Sequence, residues 1–529
     1  MSLNNDMVSP KMESVHRRTE STQKAGVKNV LISIFVSVSS FFSLTVVAMY
    51  FGGTSASDAY FFLLSMSAVS IGLIGSVLGV VFLPAFVKLL SQNDEAGAHK
   101  FLSSIFSWCL VITLFTSFLL FIWNEHFFSS VSKFNSTQIT QMSSVLMYFP
   151  PIFFFGVLSE LFRVIALSIG QFTTAAISAL FPPLFLIAFL FALRHTLHEE
   201  TLVASLLLAR AVSLTMLVTS VRKAGIRVKF NLTKNANTYS FLRSSAPYFS
   251  ATIVTNAATF YFDYQASGLG TGAVSALAYA KRLFMLPTTV FLTPILEITR
   301  TKFAEMQAVG DHQSFNSYYN NLLRFLLYYS IPIAAVYFVF SHEIISVLFQ
   351  RGAFGAEDVK KTASILAIYA WSLPIYTVFS LNGRACESYR RLFWISVFGS
   401  VGHLFVIAAT YYLTNKFGLL GIPVARLFAD IVYFLPFGFV AFHLFGGLPQ
   451  YRKIIASFLA ALVTAIPIAL FFDLFLLRAY IGTPVSLGSL VIHVSGYFIL
   501  YSAGLLFISS HCRKSLLKLM RSRSLHSRR

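Results

Sequence analysis

The chain has 529 residues, of which 56% are hydrophobic and only 11% are charged. This balance excludes an ordinary soluble domain and indicates a polytopic membrane protein, since a bilayer core about 30 Å thick needs roughly 20 apolar residues per helix. The net charge of +20 would suggest nucleic-acid binding in a soluble protein. Here the cations stand in short loops and tails beside apolar runs, which is typical of positive-inside topology and predicts no nucleic-acid partner.

Apolar windows separated by polar breaks predict an all-α fold with about fourteen transmembrane helices. The windows are too long and too continuous for the alternating strands of a membrane barrel. The predicted spans are 30–51, 60–87, 101–123, 143–168, 172–193, 201–221, 241–267, 273–298, 322–349, 360–383, 392–413, 418–443, 454–477 and 487–510. Prolines recur within them, among them Pro84 and Pro294, and each removes a backbone hydrogen bond and permits a kink.

The distribution of cations predicts that both termini are cytosolic. With that orientation, the inner loops and tails hold most of the lysines and arginines, including Arg222, Lys223, Arg300, Arg384 and the tail from Arg513 onward. The opposite loops hold few, and these are Lys133, Arg194, Arg351, Lys360, Lys361, Lys416 and Arg478. Such an asymmetry favours an even number of spans.

A faint internal repeat predicts two halves. The segments FGGTSASDAYFFLLSM from Phe51 and SGLGTGAVSALAYAKRLFML from Ser267 each place a glycine-rich turn before a helix that contains Ala-Tyr. An offset of roughly 220 residues fits two six-helix lobes followed by two appended helices. The predicted organisation is a basic tail 1–29, an N-lobe 30–221, a basic linker 222–240, a C-lobe 241–443, a helix pair 454–510 and a basic tail 511–529.

Lys281 and Arg282 stand side by side about 14 Å from the start of the eighth predicted helix. A cation at this depth costs about 2.5 to 3.5 kcal/mol on insertion scales, so it usually faces a partner or a wet cavity. Snorkelling to the outer interface is the alternative for both side chains. Because consecutive helical residues point about 100° apart, Arg282 is the favoured inward-facing cation.

Other charges within the predicted spans fall into two kinds. Glu160 with Arg163, and Arg426 with Asp430, have spacings at which each pair can neutralise itself along one helix. Arg210 has no local anion, and both snorkelling and a cavity role stay open for it.

No motif for chemistry is present in the sequence. Cys109, Cys386 and Cys512 are far apart and form no metal-ligand spacing, so we expect neither a metal site nor a disulfide framework. No Walker loop, G-x-S-x-G or H-E-x-x-H occurs, so we expect a non-enzymatic protein without a cofactor. Any movement of a substrate across the membrane would then be driven by the membrane potential, by a monovalent cation gradient or by partners.

The stretch LFQRGAFGAEDVKKTASILAIYA, from Leu348, resembles the MviN/MurJ family of flippases for lipid-linked saccharides. In that family an outer turn of the form LF-x-RGAF precedes the tenth helix, and here Arg351, Gly352 and Gly355 occupy it. FGGTSASDAYFF is similar to a second family turn, with Asp58 at the acidic position. VSALAYAKRLFMLP is similar to a third segment, with Arg282 at the family's arginine.

The resemblance implies a flippase of the bacterial inner membrane. It would move undecaprenyl-diphosphate-linked saccharide, above all the peptidoglycan precursor lipid II, outwards by alternating access. Two lobes would enclose a cationic cavity, and the last two helices would form a groove for the lipid tail. The chain departs from the family by lacking arginine in its first two predicted helices and by carrying Lys281 in place of an aspartate.

The predicted site follows from the mid-membrane charges and the resemblance together. Arg282, Lys281 and Arg210 are the expected contacts of the headgroup diphosphate. The expected structural or gating residues are Asp58, Arg351, Gly352, Gly355, Glu160, Arg163, Arg426 and Asp430.

Three alternatives stay open at this stage. The first is a flippase for another polyprenyl-linked glycan, such as a capsule, exopolysaccharide or O-antigen unit. The second is a cation-coupled drug exporter, for which twelve helices and an acidic cavity are expected. The third is a non-transporting scaffold that recruits partners through its basic tails. Expected partners are the lipid-linked saccharide, membrane lipids and cell-wall synthesis proteins.

Overall fold

The computed structural model describes residues 22–92, 94–226, 228–233, 236–389, 392–444, 448–479 and 486–508. Every regular element among them is helical, as the apolar windows predict. The predicted tail 511–529 and most of the tail 1–29 lie outside the described residues, as do Arg227, Lys234, Arg390 and Arg391.

The chain forms two compact units. The first comprises the described residues up to Val47 together with Thr54–Val274, and the second comprises Ala48–Gly53 together with the described residues from Ser275 onward. The first half of the chain contains the helices Thr22–Phe51 (α1), Ser55–Val77 (α2), Leu83–Ser91 (α3), Glu95–Ile122 (α4), Asn124–Val131 (α5), Ser136–Gln141 (α6), Ser143–Leu146 (α7), Phe149–Ser168 (α8), Phe172–Ile177 (α9), Phe181–Leu197 (α10), Glu200–Lys223 (α11) and Ala236–Ser267 (α12).

The remaining helices build the second unit, whose first member starts two residues before the unit boundary. They are Ala273–Pro287 (α13), Thr293–Val309 (α14), His312–Val339 (α15), Ser341–Phe349 (α16), Ala356–Ala370 (α17), Ser372–Ser388 (α18), Leu392–Phe417 (α19), Gly421–Ala429 (α20), Leu435–Leu444 (α21), Tyr451–Ala479 (α22) and Leu487–Ile508 (α23).

Eleven described helices are long and apolar enough to cross a membrane, or twelve if the pair α17 and α18, bent by 45°, is one broken span. The more polar α12 is outside this set. The segment Val397–Val440 within it runs from α19 through α20 into α21, and α20 packs back on α19. The predicted count of fourteen is consistent with this arrangement.

The helix α12 packs along α2 and so belongs by its contacts to the first unit. The first unit therefore continues to Val274, beyond the basic linker 222–240 at which the sequence divides the lobes. The internal sequence repeat stays a prediction. The two units are defined by which helices pack together, and packing does not show whether the two halves arose by duplication.

Three spans contain a wider, π-helical turn, at Leu78–Phe82, Thr288–Leu292 and Asp430–Phe434. In each span the next helix has proline as its second residue, and these prolines are Pro84, Pro294 and Pro436. Proline lacks an N–H, and its ring clashes with the carbonyl four residues earlier. A wider turn accommodates that clash, so the chain stays helical at these prolines.

One predicted boundary differs by ten residues. The window 322–349 begins at an apolar residue, but α15 begins at His312, where the Asp311 carboxylate accepts a hydrogen bond from Ser314 N at 3.0 Å. The preceding helix ends at Gly310, whose φ of +75° is a left-handed cap. These two caps allow polar helical turns to extend past the apolar stretch that hydropathy detects.

Candidate functional site

A charged pair lies within the first unit, in the middle of α8. Arg163 donates two hydrogen bonds to Glu160, Nε to Oε2 at 2.7 Å and Nη2 to Oε1 at 2.6 Å. The Glu160 side chain is only 12% exposed and the Arg163 side chain 38%. The ion pair predicted from their spacing is thus confirmed, and its role in gating stays a prediction.

Gly75 of α2 makes room for this pair. Its α-carbon lies so close to the Glu160 carboxylate that a side chain at position 75 would overlap Oε1. One residue earlier on α8, Ser159 Oγ donates to the carbonyl oxygen of Arg210 in α11 at 3.1 Å. Three helices of the first unit therefore meet at Glu160 and its neighbour.

Arg210 lies about 15 Å from the start of α11, near the middle of that helix. Its guanidinium lies near the Glu160 carboxylate and near the buried Tyr60 side chain. The Arg210 Nε is buried and has no hydrogen-bond acceptor in the described part of the chain. Buried donors of this kind are rare, so an arginine held in this way is suited to receive an anion.

Lys281 and Arg282 lie on α13 in the second unit. Their neighbours Tyr279, Ala280 and Leu283 are buried, whereas Arg282 is exposed and Lys281 is half-buried. The two cations thus occupy the side of α13 that faces away from the core of its own unit. Contact with a diphosphate stays a prediction for both.

Arg426 and Asp430 form the second predicted ion pair, with Nη2 to Oδ1 at 3.0 Å. Asp430 is buried and is the first residue of a π-helical turn, and the Arg426 guanidinium also stacks over the Phe434 ring at 5.3 Å. The pair is confirmed as a contact within one span. Its buried carboxylate indicates that it fixes this span, since an unpaired charge there would be strongly destabilising.

The glycine-rich turns are tightly packed inside the second unit. Gly352 has φ +59° and Gly52 has φ +50°, a region that favours glycine. A methyl group on Gly352 would overlap the Met49 carbonyl oxygen, and one on Gly52 would overlap that of Ala353. Ala353 N also donates to Met49 O at 2.8 Å. The predicted turn before α17 therefore docks against the turn after α1.

The remaining predicted turn residues act as caps and anchors. Arg351 Nη2 donates to the Val347 carbonyl at 2.9 Å, and Gly355 N donates to Asp358 Oδ2 at 3.1 Å at the start of α17. In the first unit, the buried Asp58 accepts a hydrogen bond from Gly272 N at 2.6 Å. These contacts are structural, and a gating role stays a prediction.

Two polar contacts were missed by sequence reasoning. Arg324 Nε donates to Ser457 Oγ at 2.9 Å, and Tyr328 OH donates to the same oxygen at 3.0 Å, joining α15 to α22. In the first unit, Ser65 Oγ donates to the buried Asp263 at 2.5 Å. In both cases the sequence shows a charged residue inside an apolar window, Arg324 or Asp263. The residue that it contacts is far away in the sequence, so the pairing could not be predicted.

An apolar groove of about 490 Å³ opens within the second unit. Its walls come from α15, α18, α20 to α21 and α22, and include Leu327, Trp371, Leu435, Ile455 and Phe458. The predicted lipid-tail pair thus contributes its first helix, α22, to this groove. An apolar groove formed by helices of membrane-spanning length is suited to a hydrocarbon chain.

Comparison with known proteins is consistent across sequence and structure. The family model described as lipid II flippase MurJ matches residues 47–494. The probable lipid II flippase MurJ of Aquifex aeolicus is 26% identical over 467 residues, which is 82% of this chain and 89% of that protein. The corresponding protein of Thermotoga maritima is 34% identical over 128 residues, 24% of this chain and 26% of that one.

Solved structures agree on the fold. A lipid II flippase MurJ in an inward closed conformation superposes with a TM-score of 0.76, at 20% identity, over 91% of this chain and 98% of that one. An inward-facing multidrug resistance transporter of the MATE family superposes with a TM-score of 0.66, at 14% identity, over 79% of this chain and 98% of that one. Since the family model spans most of the sequence, the chain belongs to the lipid II flippase MurJ family.

Proposed function

We propose that this chain translocates lipid II, the undecaprenyl-diphosphate-linked peptidoglycan precursor, from the inner to the outer leaflet by alternating access. The family assignment supports the substrate. The observation in the structure that carries the proposal is the buried Nε of Arg210, which has no acceptor among the described residues and lies beside the Glu160–Arg163 pair at mid-helix depth.

The diphosphate explains why a membrane protein holds cations at this depth. Burying an uncompensated charge costs several kcal/mol after relaxation, and a diphosphate carries about two. A guanidinium offers a planar fork of donors that matches phosphate oxygens. The proposed headgroup contacts are therefore Arg210 in the first unit, and Arg282 with Lys281 in the second. The Glu160–Arg163 ion pair is proposed to keep the helices around Arg210 in place.

The groove of the second unit is proposed to hold part of the undecaprenyl tail. Its volume is about 490 Å³, and its walls are almost wholly aliphatic and aromatic, a lining that suits a segment of an isoprenoid chain and not a sugar. The tail would remain in an apolar environment while the polar headgroup is carried by the cations.

The proposed orientation places both termini in the cytosol of a bacterium, in its inner membrane. It rests on the bias of cations toward one set of loops. In the second unit, Arg384 Nη2 of α18 contacts Glu297 of α14 at 2.8 Å, and Arg300 Nε contacts Glu387 at 3.5 Å. Arg300 and Arg384, both assigned to the inner side, therefore lie at the same end of that unit. With the interior negative, outward movement of two negative charges is favoured by roughly 4 to 5 kcal/mol per 100 mV, which makes the membrane potential the proposed driving force.

Depletion of the protein in its own cell tests the substrate. We expect lipid II to accumulate on the inner leaflet, measured as lipid-linked saccharide that an externally added hydrolase cannot reach. Accumulation of a different polyprenyl-linked glycan, with lipid II unchanged, would contradict the proposal. Restoration by the wild-type chain but not by Arg210→Gln would tie the accumulation to the site.

A further inference from the structure

A second pocket, of about 370 Å³, opens at the end of the first unit where α4 begins and α11 ends. It is separate from the mid-helix charges and from the apolar groove. Its walls are the side chains of α4 at positions 99, 100 and 103, the turn residue Gly225, and Lys229 and Asn231 from the segment that follows.

Backbone hydrogen bonds fix the segment that forms one wall. Lys229 N donates to Ser103 Oγ at 3.2 Å, and Asn231 N donates to Ser107 Oγ at 2.7 Å. Ser104 Oγ donates in turn to the Thr233 carbonyl at 2.9 Å. The segment is thus held along α4 without forming a helix, so the position of Lys229 relative to α4 is built into the fold.

The pocket is cationic. Lys100 and Lys229 are both exposed at its walls, and neither forms an ion pair within the described ranges. His99 lies beside them. The neighbouring carboxylate of Asp94 accepts a hydrogen bond from Gly97 N at 2.8 Å as the cap of α4, so it is occupied by the backbone.

Apolar side chains accompany these cations. Phe230 and Leu232, 62% and 40% exposed, alternate in sequence with Lys229 and Asn231. The candidate span Ala96–Ile122 starts at this end of α4, and Lys100 lies four residues, about 6 Å, into it. Lys100 is therefore expected near the level of the lipid headgroups. Exposed aromatic and aliphatic residues next to lysines at this depth are typical of a segment lying in the membrane interface.

We propose that this pocket binds the phosphate headgroup of an anionic phospholipid. Lys100 and Lys229 contact the phosphate, and Phe230 and Leu232 enter the acyl region beside it. Free inorganic phosphate shares the anionic chemistry, but it would leave the two exposed apolar side chains without a role. The site is independent of the translocated substrate, because none of its residues belongs to the mid-helix charges.

Native mass spectrometry of the purified full-length chain tests the site. The protein is titrated with phosphatidylglycerol or with phosphatidylcholine, and bound lipids are counted. We expect Lys100→Gln with Lys229→Gln to weaken the tightest phosphatidylglycerol binding by about tenfold or more. The matched control, Lys360→Gln with Lys453→Gln, removes the same charge from exposed positions of the second unit and is expected to leave that binding unchanged.

Two further arms identify the ligand. Phe230→Ser is expected to weaken phosphatidylglycerol binding, and millimolar inorganic phosphate is expected not to displace the lipid. Equal loss in both lysine pairs, or equal binding of phosphatidylcholine, would overturn the pocket. Displacement by phosphate with no effect of Phe230→Ser would overturn the lipid as its ligand. If the double variant aggregates, the single variants Lys100→Gln and Lys229→Gln replace it, and unchanged binding in both would overturn the proposal.

Discussion

Ser159 Oγ donates a hydrogen bond to the main-chain carbonyl of Arg210 at 3.1 Å, and so joins the middle of α8 to the middle of α11. The residue after Ser159 is Glu160, whose carboxylate is paired with Arg163. The Arg210 guanidinium, whose buried Nε has no acceptor among the described residues, is thereby held beside the Glu160–Arg163 ion pair within the first unit. This arrangement provides one proposed contact for a diphosphate and leads to the first two predictions.

Replacing Arg210 by glutamine is expected to reduce translocation by at least about tenfold, since a lost charge-assisted hydrogen bond to phosphate is worth about 1.5 to 3 kcal/mol. The measurement is growth of cells depleted of the wild-type protein, with membrane insertion checked by immunoblot. Arg210→Lys keeps the charge but loses the fork of donors and should retain part of the activity. Arg194→Gln, in the last turn of α10 and outside the site, serves as the control. Full activity of Arg210→Gln would remove this residue from the site.

Glu160 and Arg163 are expected to be energetically coupled. Glu160→Gln or Arg163→Gln alone leaves a partly buried charge without its partner and should lower the free energy of unfolding by about 1 to 3 kcal/mol. The double variant should lose less than the sum of the single changes. A double-mutant cycle on thermal unfolding in detergent measures this coupling. Strict additivity would show that the contact contributes nothing.

Gly352→Ala is expected to destabilise the second unit by about 1 to 3 kcal/mol, because the residue has positive φ and its new methyl group would meet the Met49 carbonyl. Gly355→Ala, three residues later, is the matched control, since its φ is −84° and a methyl group there meets nothing within 4 Å. Thermal unfolding of both variants in the same detergent gives the comparison. Equal midpoints would contradict the packing of this turn.

Ser457→Ala should loosen α22 from α15. The buried hydroxyl accepts from both Arg324 and Tyr328, so its removal leaves two donors without this acceptor, at about 1 to 3 kcal/mol. Ser502→Ala in α23 is the control, since that hydroxyl is exposed and donates within its own helix. Limited proteolysis of the loop before α22 reports the loosening. Identical cleavage rates in both variants would argue against it.

Filling the apolar groove is expected to slow translocation without unfolding the protein. Ile455 lines the groove and is 56% exposed, so Ile455→Trp adds volume there with little disturbance of the core. Val491→Trp on α23, similarly exposed but outside the groove walls, is the control. Transport activity at an unchanged melting temperature is the measurement. Wild-type activity of Ile455→Trp would exclude the groove as a tail site.

Much of the fold follows from the sequence because the length of an apolar window and the fixed rise of a helix together predict a span. The Gly352 turn was predictable because its motif is local. The proximity of Arg210 to Glu160 was not, since the residues are on different helices and hydropathy does not determine which helices pack together. Arg324 and Ser457 are 133 residues apart, and nothing in either window indicates the other.

The most direct test of the account is translocation by the purified protein in proteoliposomes. Fluorescent lipid II is placed in one leaflet under an imposed membrane potential, and its appearance in the other is followed by quenching with an impermeant reagent. We predict transfer well above that of protein-free vesicles, strongly reduced by Arg210→Gln with Arg282→Gln. Transfer no faster than in protein-free vesicles, with the protein shown to be folded, would contradict the proposed function.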